Sequence, residues 1–253
     1  MTNPEPGTLP DVSGALLHRA LAFDLETTGL DTNYAQPVSY ALIALADGKV
    51  EDHTYRIVCP TVPVERGAAA VHGLDEAMLR QEGDDLRSSV EQIAFRLCQA
   101  SSHGVPVIGM NVSFDLQIVD SLTTSLLGTS LLDLGWQGPI LDALVIDRGF
   151  DTYRKGKRTL DALCERYRVK RSGAHNALAD AYDTYKVTEA VLSHFGLGVS
   201  EGEVMKGLSE RQARLAGAAA ASLRDYHLRT RGASDVIIAE WWPIKGSFRT
   251  VAV

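Results

Sequence analysis

Four acidic residues and one histidine have the types and spacing to do chemistry together. Asp24 and Glu26 are two apart in the alternating run Leu21-Ala-Phe-Asp-Leu-Glu26. On a strand, that spacing sends both carboxylates off one face. Side-by-side carboxylates repel and lose solvation when buried, and a cation relieves both penalties. Hard oxygen donors with no thiolate among them favour Mg²⁺ or Mn²⁺. The same pair is also at home on the solvent face of a meander. Asp115, closing the run Asn111-Val-Ser-Phe-Asp115, shares a helical line with Val119, Leu122 and Leu126. A position near a helix N-terminus accounts for an acid there, but not for its apolar neighbours. Asp180, in His175-Asn-Ala-Leu-Ala-Asp180, lines up with Ala177, Thr184, Val187 and Val191. His175 lies about one turn before it, and an imidazole with a pKa near ~6.5 can accept a proton near neutral pH. A lone loop histidine is usually structural, so His175 draws its weight from the acids around it.

Strands and helices must bring these residues together. The alternation predicts a half-buried strand over Leu21–Glu26, a second over about 38–46 and a third over about 50–58, with Asp47-Gly48 as the hairpin turn. Helical spacing follows at about 75–81 and 87–101. A short apolar strand is expected at 105–110, a helix at 113–127, and an undecided strand or helix at 140–146. Helices are expected at 159–167 and 177–194. Strands first, then helix and strand in alternation, imply an α/β fold with a mixed sheet and helices packed on it.

The ordered set of motifs resembles the DEDDh 3′–5′ exonucleases, the family of the proofreading epsilon subunit of bacterial DNA polymerase III. The resemblance runs from about residue 21 to 194 and rests on Phe23-Asp-Leu-Glu-Thr-Thr-Gly-Leu30, Val71-His-Gly-Leu74, Asn111-Val-Ser-Phe-Asp115, Gly156-Lys-Arg-Thr-Leu-Asp-Ala-Leu163 and Ala174-His-Asn-Ala-Leu-Ala-Asp-Ala181. It implies a ribonuclease H-like fold with a five-stranded mixed sheet. It implies release of nucleoside monophosphates from a 3′ end, with DNA and single strands expected. By matched position, Asp24, Glu26, Asp115 and Asp180 become ligands of two Mg²⁺ or Mn²⁺ ions, and His175 the general base. Thr27, Thr28, Leu30, His72, Asn111 and Phe114 match places around the terminal nucleotides, and Arg158 joins them as a phosphate contact. An exoribonuclease or oligoribonuclease, or a non-catalytic replication-associated binding module, is the alternative.

Composition bounds these expectations. The 253 residues are 45% hydrophobic and 23% charged, with a formal net charge of −7. Residues 154–171 run the other way, with eight basic side chains against Asp161 and Glu165. A basic strip on an acidic body suits contact with phosphates at one place, or a solvated surface. Three widely spaced cysteines suggest reduced thiols and a cytoplasmic setting. No apolar run is long enough for a membrane span, and the first residues lack a secretory pattern. Residues 1–18 read as a flexible leader, 19–196 as the exonuclease domain and 197–253 as a C-terminal helical extension. That extension ends in Trp241-Trp242-Pro243, which suits either docking of a replication protein or packing on the domain.

Overall fold

The computed structural model describes residues 15–173, 176–197 and 203–250. Its centre is strand β1 (Arg19–Thr27), antiparallel to β2 (Pro37–Ala46) and parallel to β5 (Val107–Gly109). Strand β2 continues antiparallel to β3 (Lys49–Cys59), and β5 continues parallel to β6 (Ile140–Asp142). The expected five strands are joined by a sixth, because Asp84–Asp85 (β4) pairs parallel with the end of β3. The sheet order is β4-β3-β2-β1-β5-β6, a mixed sheet of the ribonuclease H-like kind. Two acidic residues give little sequence signal for a strand, so the edge escapes prediction.

Helices cover both faces. Leu21, Phe23 and Leu25 point into one core, with α3 (Leu86–Ser102) and α4 (Val112–Leu122) above them. Ala20 and Ala22 point into the other, under α7 (Ala177–His194). Strand β1 is therefore covered on both sides rather than half-buried. Its small alanines let α7 lie close to the strand, so the acids that follow them sit beneath a helix and not in open water. The short helices α1 (Arg66–His72) and α2 (Glu76–Glu82) follow β3. A π-helical turn, Thr123–Leu127, continues α4. The undecided stretch at 140–146 is both things, β6 and then α5 (Ala143–Phe150), and α6 (Leu160–Tyr167) comes next.

The C-terminal extension joins the same cores. Helix α8 (Glu203–Arg231) buries Met205, Leu208 and Ala213. Its Ser209 and Gln212 side chains reach the free edge of β6. Ser209 Oγ accepts from Ile140 N–H at 3.1 Å, Gln212 Nε2 donates to Ile140 O at 2.9 Å, and Gln212 Oε1 accepts from Asp142 N–H at 2.7 Å. The hairpin of β7 (Trp241–Trp242) and β8 (Phe248–Arg249) puts Trp242 and Ile244 into the core beside α4. The leader falls mostly outside the described residues. Of its last part, Leu17 is buried, and the Leu16 and Leu17 N–H groups donate to Glu189 on α7 at 2.7 and 3.0 Å.

Packing of the extension predicts a measurable cost. Trp242→Ala should lower stability by about 3–5 kcal/mol, read from the urea midpoint. Ile237→Ala, at an exposed position of the same extension, should change it by less than ~0.5 kcal/mol.

Candidate active site

Asp24 and Glu26 leave the α7-covered face of β1, near its C-terminal end. Asp180 comes down from the first turn of α7, whose N-cap Asn176 accepts from Leu178 N–H and Ala179 N–H at 3.0 and 3.4 Å. One carboxylate oxygen from each of Asp24, Glu26 and Asp180 lies within 4.8 Å of the others, and all three residues are half-buried. Asp115 reaches the same place from α4 but stands outside that mutual group. It is buried, and its Oδ1 accepts the Leu25 N–H at 3.1 Å, between the two acids of β1.

Helix α4 is placed by a tight turn. Gly109 ends β5, where a Cβ would come within 2.5 Å of the Val112 Cβ. Asn111 follows with a φ of 61°, in the left-handed region that asparagine tolerates. Asp142, fully buried at the end of β6, accepts the Asn111 and Val112 N–H groups at 3.1 and 2.9 Å and also caps α5.

Burial and crowding shift the acids. Burial raises Asp24 well above the usual carboxylate range, and the charges of Asp115, Asp180 and Glu26 add to it, opposed by Arg171. Burial, then Asp180, pushes Glu26 up to about 7. Asp115 is raised mainly by burial, against the hydrogen bond from Leu25 N–H. Asp142 is raised by burial to about 6, with its backbone donors pulling the other way.

The segment that leads to His175 is strapped to α7. Asp183, fully buried, accepts from Arg171 Nη1 at 2.8 Å and from Ser172 N–H at 2.8 Å, and pairs with Lys186 Nζ at 2.7 Å. Arg171 also binds Asp180 Oδ1 at 2.7 Å and Asp161 Oδ1 at 2.9 Å. His175 itself lies outside the described residues. Asp142, Asp183 and Arg171 were missed as supporting residues by the sequence reading. The signal for Asp142 was available, since it follows Ile140-Leu141 as Asp24 follows Phe23.

The candidate substrate contacts differ in what they offer. Leu30 is 83% exposed and Asn111 is exposed. Phe114 and His72 are half-buried, and His72 Nδ1 accepts the Leu74 N–H. Thr27 and Thr28 are buried, with hydroxyls bonded within the loop: Thr27 Oγ1 donates to Gly29 O, and Thr28 Oγ1 accepts from Gln36 N–H. Arg158 is turned inward rather than toward a phosphate. Together with Arg154, it binds the fully buried Asp147. The basic strip thus shrinks: Lys155, Lys157, Arg168 and Lys170 are exposed, whereas Arg154, Arg158 and Arg171 hold internal acids.

Two outcomes follow. A carboxyl whose pKa is raised on folding stabilises the fold at low pH, and that contribution is lost as pH rises through the folded value. Without divalent ions, the melting temperature should therefore fall between about pH 4.5 and pH 7.5. The fall should be smaller in Glu26→Gln, and Mg²⁺ should reverse it; a wild-type slope in Glu26→Gln would contradict the assignment. Asp183→Ala leaves Arg171 and Lys186 without their shared partner. It should cost on the order of 3 kcal/mol and speed amide hydrogen exchange at 170–172.

The exonuclease family model called RNase_T matches residues 21–188. A DNA polymerase III PolC-type of Lacticaseibacillus paracasei is 29% identical over 164 residues, which are 65% of this chain but only 10% of that polymerase. A DNA polymerase III subunit epsilon of Buchnera aphidicola subsp. Acyrthosiphon pisum is 26% identical over 174 residues, covering 65% of this chain and 68% of the subunit. Among solved structures, E. coli Exonuclease I in complex with a dT13 oligonucleotide shares the fold, with a TM-score of 0.57 at 19% identity over 69% of this chain and 41% of that one. The chain belongs to the RNase_T family of exonucleases.

Proposed function

We propose that the chain is a metal-dependent 3′–5′ exonuclease that releases nucleoside monophosphates from DNA 3′ ends and prefers single strands. The observation that carries this reading is the convergence of Asp24, Glu26 and Asp180, from β1 and α7, within 4.8 Å. The donor set fits hard divalent ions: it is all oxygen, and burial and mutual repulsion leave it in need of positive charge. Family membership supports hydrolysis of a nucleic acid, and the fold is shared with an exonuclease bound to an oligonucleotide.

Asp24, Glu26, Asp115 and Asp180 would hold two Mg²⁺ or Mn²⁺ ions, which when bound clamp the scissile phosphate and acidify a water. The chain's own groups do the rest. An imidazole nitrogen of His175 takes the proton from the attacking water. Leu30 and Phe114 meet the terminal bases, and Asn111 offers an amide beside them. Lys155, Lys157, Arg168 and Lys170 attract backbone phosphates without reading sequence.

Time courses on 3′- and 5′-labelled DNA and RNA oligonucleotides, with Mg²⁺, Mn²⁺ or EDTA, test the reading. Stepwise shortening from the 3′ end of DNA, stopped by EDTA, is expected. Activity that survives EDTA, or internal cuts alone, would sink it. His175→Ala should lower kcat by about 10²–10⁴-fold while keeping calorimetric metal binding, and Asp24→Asn should lose both.

A further inference from the structure

A cavity lies between the loop after β1, helix α4 and the C-terminal hairpin, built partly by residues outside the family match. It has a volume of about 690 Å³ and is lined by Thr32 and Asn33, by Gln117, Ser121 and Thr124, and by Trp241 of the C-terminal hairpin. Cavities of this size commonly take small ligands or one unit of a chain. Two of its walls come from elements that also carry candidate-site residues, the loop after β1 and helix α4. Thr32 and Asn33 lie on the loop that follows β1, the loop that also carries Leu30. Gln117 stands on α4 one turn beyond Phe114, on the same helical face. Thr32 Oγ1 donates to Gln117 Oε1 at 3.3 Å, tying loop to helix, and Gln117 Nε2 donates to Pro243 O at 3.0 Å, tying helix to hairpin.

Strand alternation divides the two tryptophans of β7. Trp242 enters the core, and Trp241 is left half-exposed on the groove. The Arg249 guanidinium sits 4.7 Å from the Trp241 ring centroid, and Glu240 lies 3.6 Å from Arg249. The remaining charges are Asp120, whose Oδ1 accepts the Leu131 N–H, and Lys245. Such a groove is close to neutral. It is poorly suited to neutralising phosphates and well suited to stacking a base on an aromatic ring backed by arginine. Two large side chains on the connecting loop, Leu30 and Tyr34, are 83% and 76% exposed. Large side chains held in water on the loop that lines the cavity are what a stacked strand would cover.

We propose that this groove is a second subsite, which binds single-stranded DNA on the 5′ side of the nucleotides at the carboxylates, by stacking a base on Trp241. The proposal rests on the exonuclease reading above. Substrates too short to reach the groove gain nothing from it, whereas longer ones are held by it.

The test compares dT oligonucleotides of two lengths, a trinucleotide and a fifteen-mer, in steady-state kinetics. Trp241→Ala should raise KM for the fifteen-mer about tenfold, leave kcat unchanged and leave the trinucleotide unaffected. Trp241→Phe should keep most of the wild-type KM. If Trp241→Ala melts lower than wild type, Tyr34→Ala, on an exposed loop, carries the same comparison. Equal KM for variant and wild type at both lengths overturns the subsite while leaving the nuclease reading intact. An equal rise at both lengths also overturns it, because the hairpin would then be supporting the carboxylate site. A wild-type chain that degrades neither substrate with Mg²⁺ or Mn²⁺ overturns the exonuclease reading itself, and the subsite with it.

Discussion

Asp24 and Glu26 leave a face of β1 that a helix covers, and Asp180 of that helix adds a third carboxylate within 4.8 Å. Groups so placed repel one another and have little water to soften the repulsion. Left to themselves they would take up protons, as the rise of Glu26 to about 7 expresses. Packing keeps them together. The sheet fixes two of them, the N-cap of α7 fixes the third, and the Leu25 N–H holds Asp115 beneath. Arg171, bound to Asp180, brings a positive charge that opposes the rise of Asp24.

Three aspartates outside this set are also fully buried, and each gathers donors from a neighbouring connection. Asp142 collects the N–H groups at the start of α4 and α5. Asp147 collects Arg154, Arg158 and the Tyr167 hydroxyl, and thereby folds the 151–158 loop back on α5. Asp183 collects Arg171, Ser172 and Lys186 ahead of the residues that precede α7. A buried carboxylate is costly unless its oxygens are filled, and these are filled by backbone N–H groups and polar or cationic side chains of neighbouring segments. Three of the eight basic side chains between 154 and 171 are therefore internal cement.

That outcome shows what the sequence could and could not reveal. The spacing of Asp24 and Glu26, the apolar lines of Asp115 and Asp180 and the alternation of β1 were all visible, because period and chemistry are local properties. Helix α7 was readable end to end for the same reason. The inward turn of Arg158 was not, since its partner Asp147 is eleven residues away and a run of basic residues looks alike whether solvated or paired. The two-residue β4 carries no pattern of its own; it exists because β3 offers an edge. The fate of Trp241 and Trp242 depended on where the hairpin docks, so only the structure separates the ring that enters the core from the one that faces the groove.

At the other margin of the sheet, Ser209 and Gln212 of α8 satisfy β6 as a neighbouring strand would. An open strand edge is a template for foreign strands and for self-assembly. The family match ends at residue 188, so the chain beyond it closes an edge that the matched part leaves bare. The extension thus acts as a terminal stop on sheet growth. A shortened form would be expected to betray itself first by clumping through β6, before any change at the carboxylates was felt.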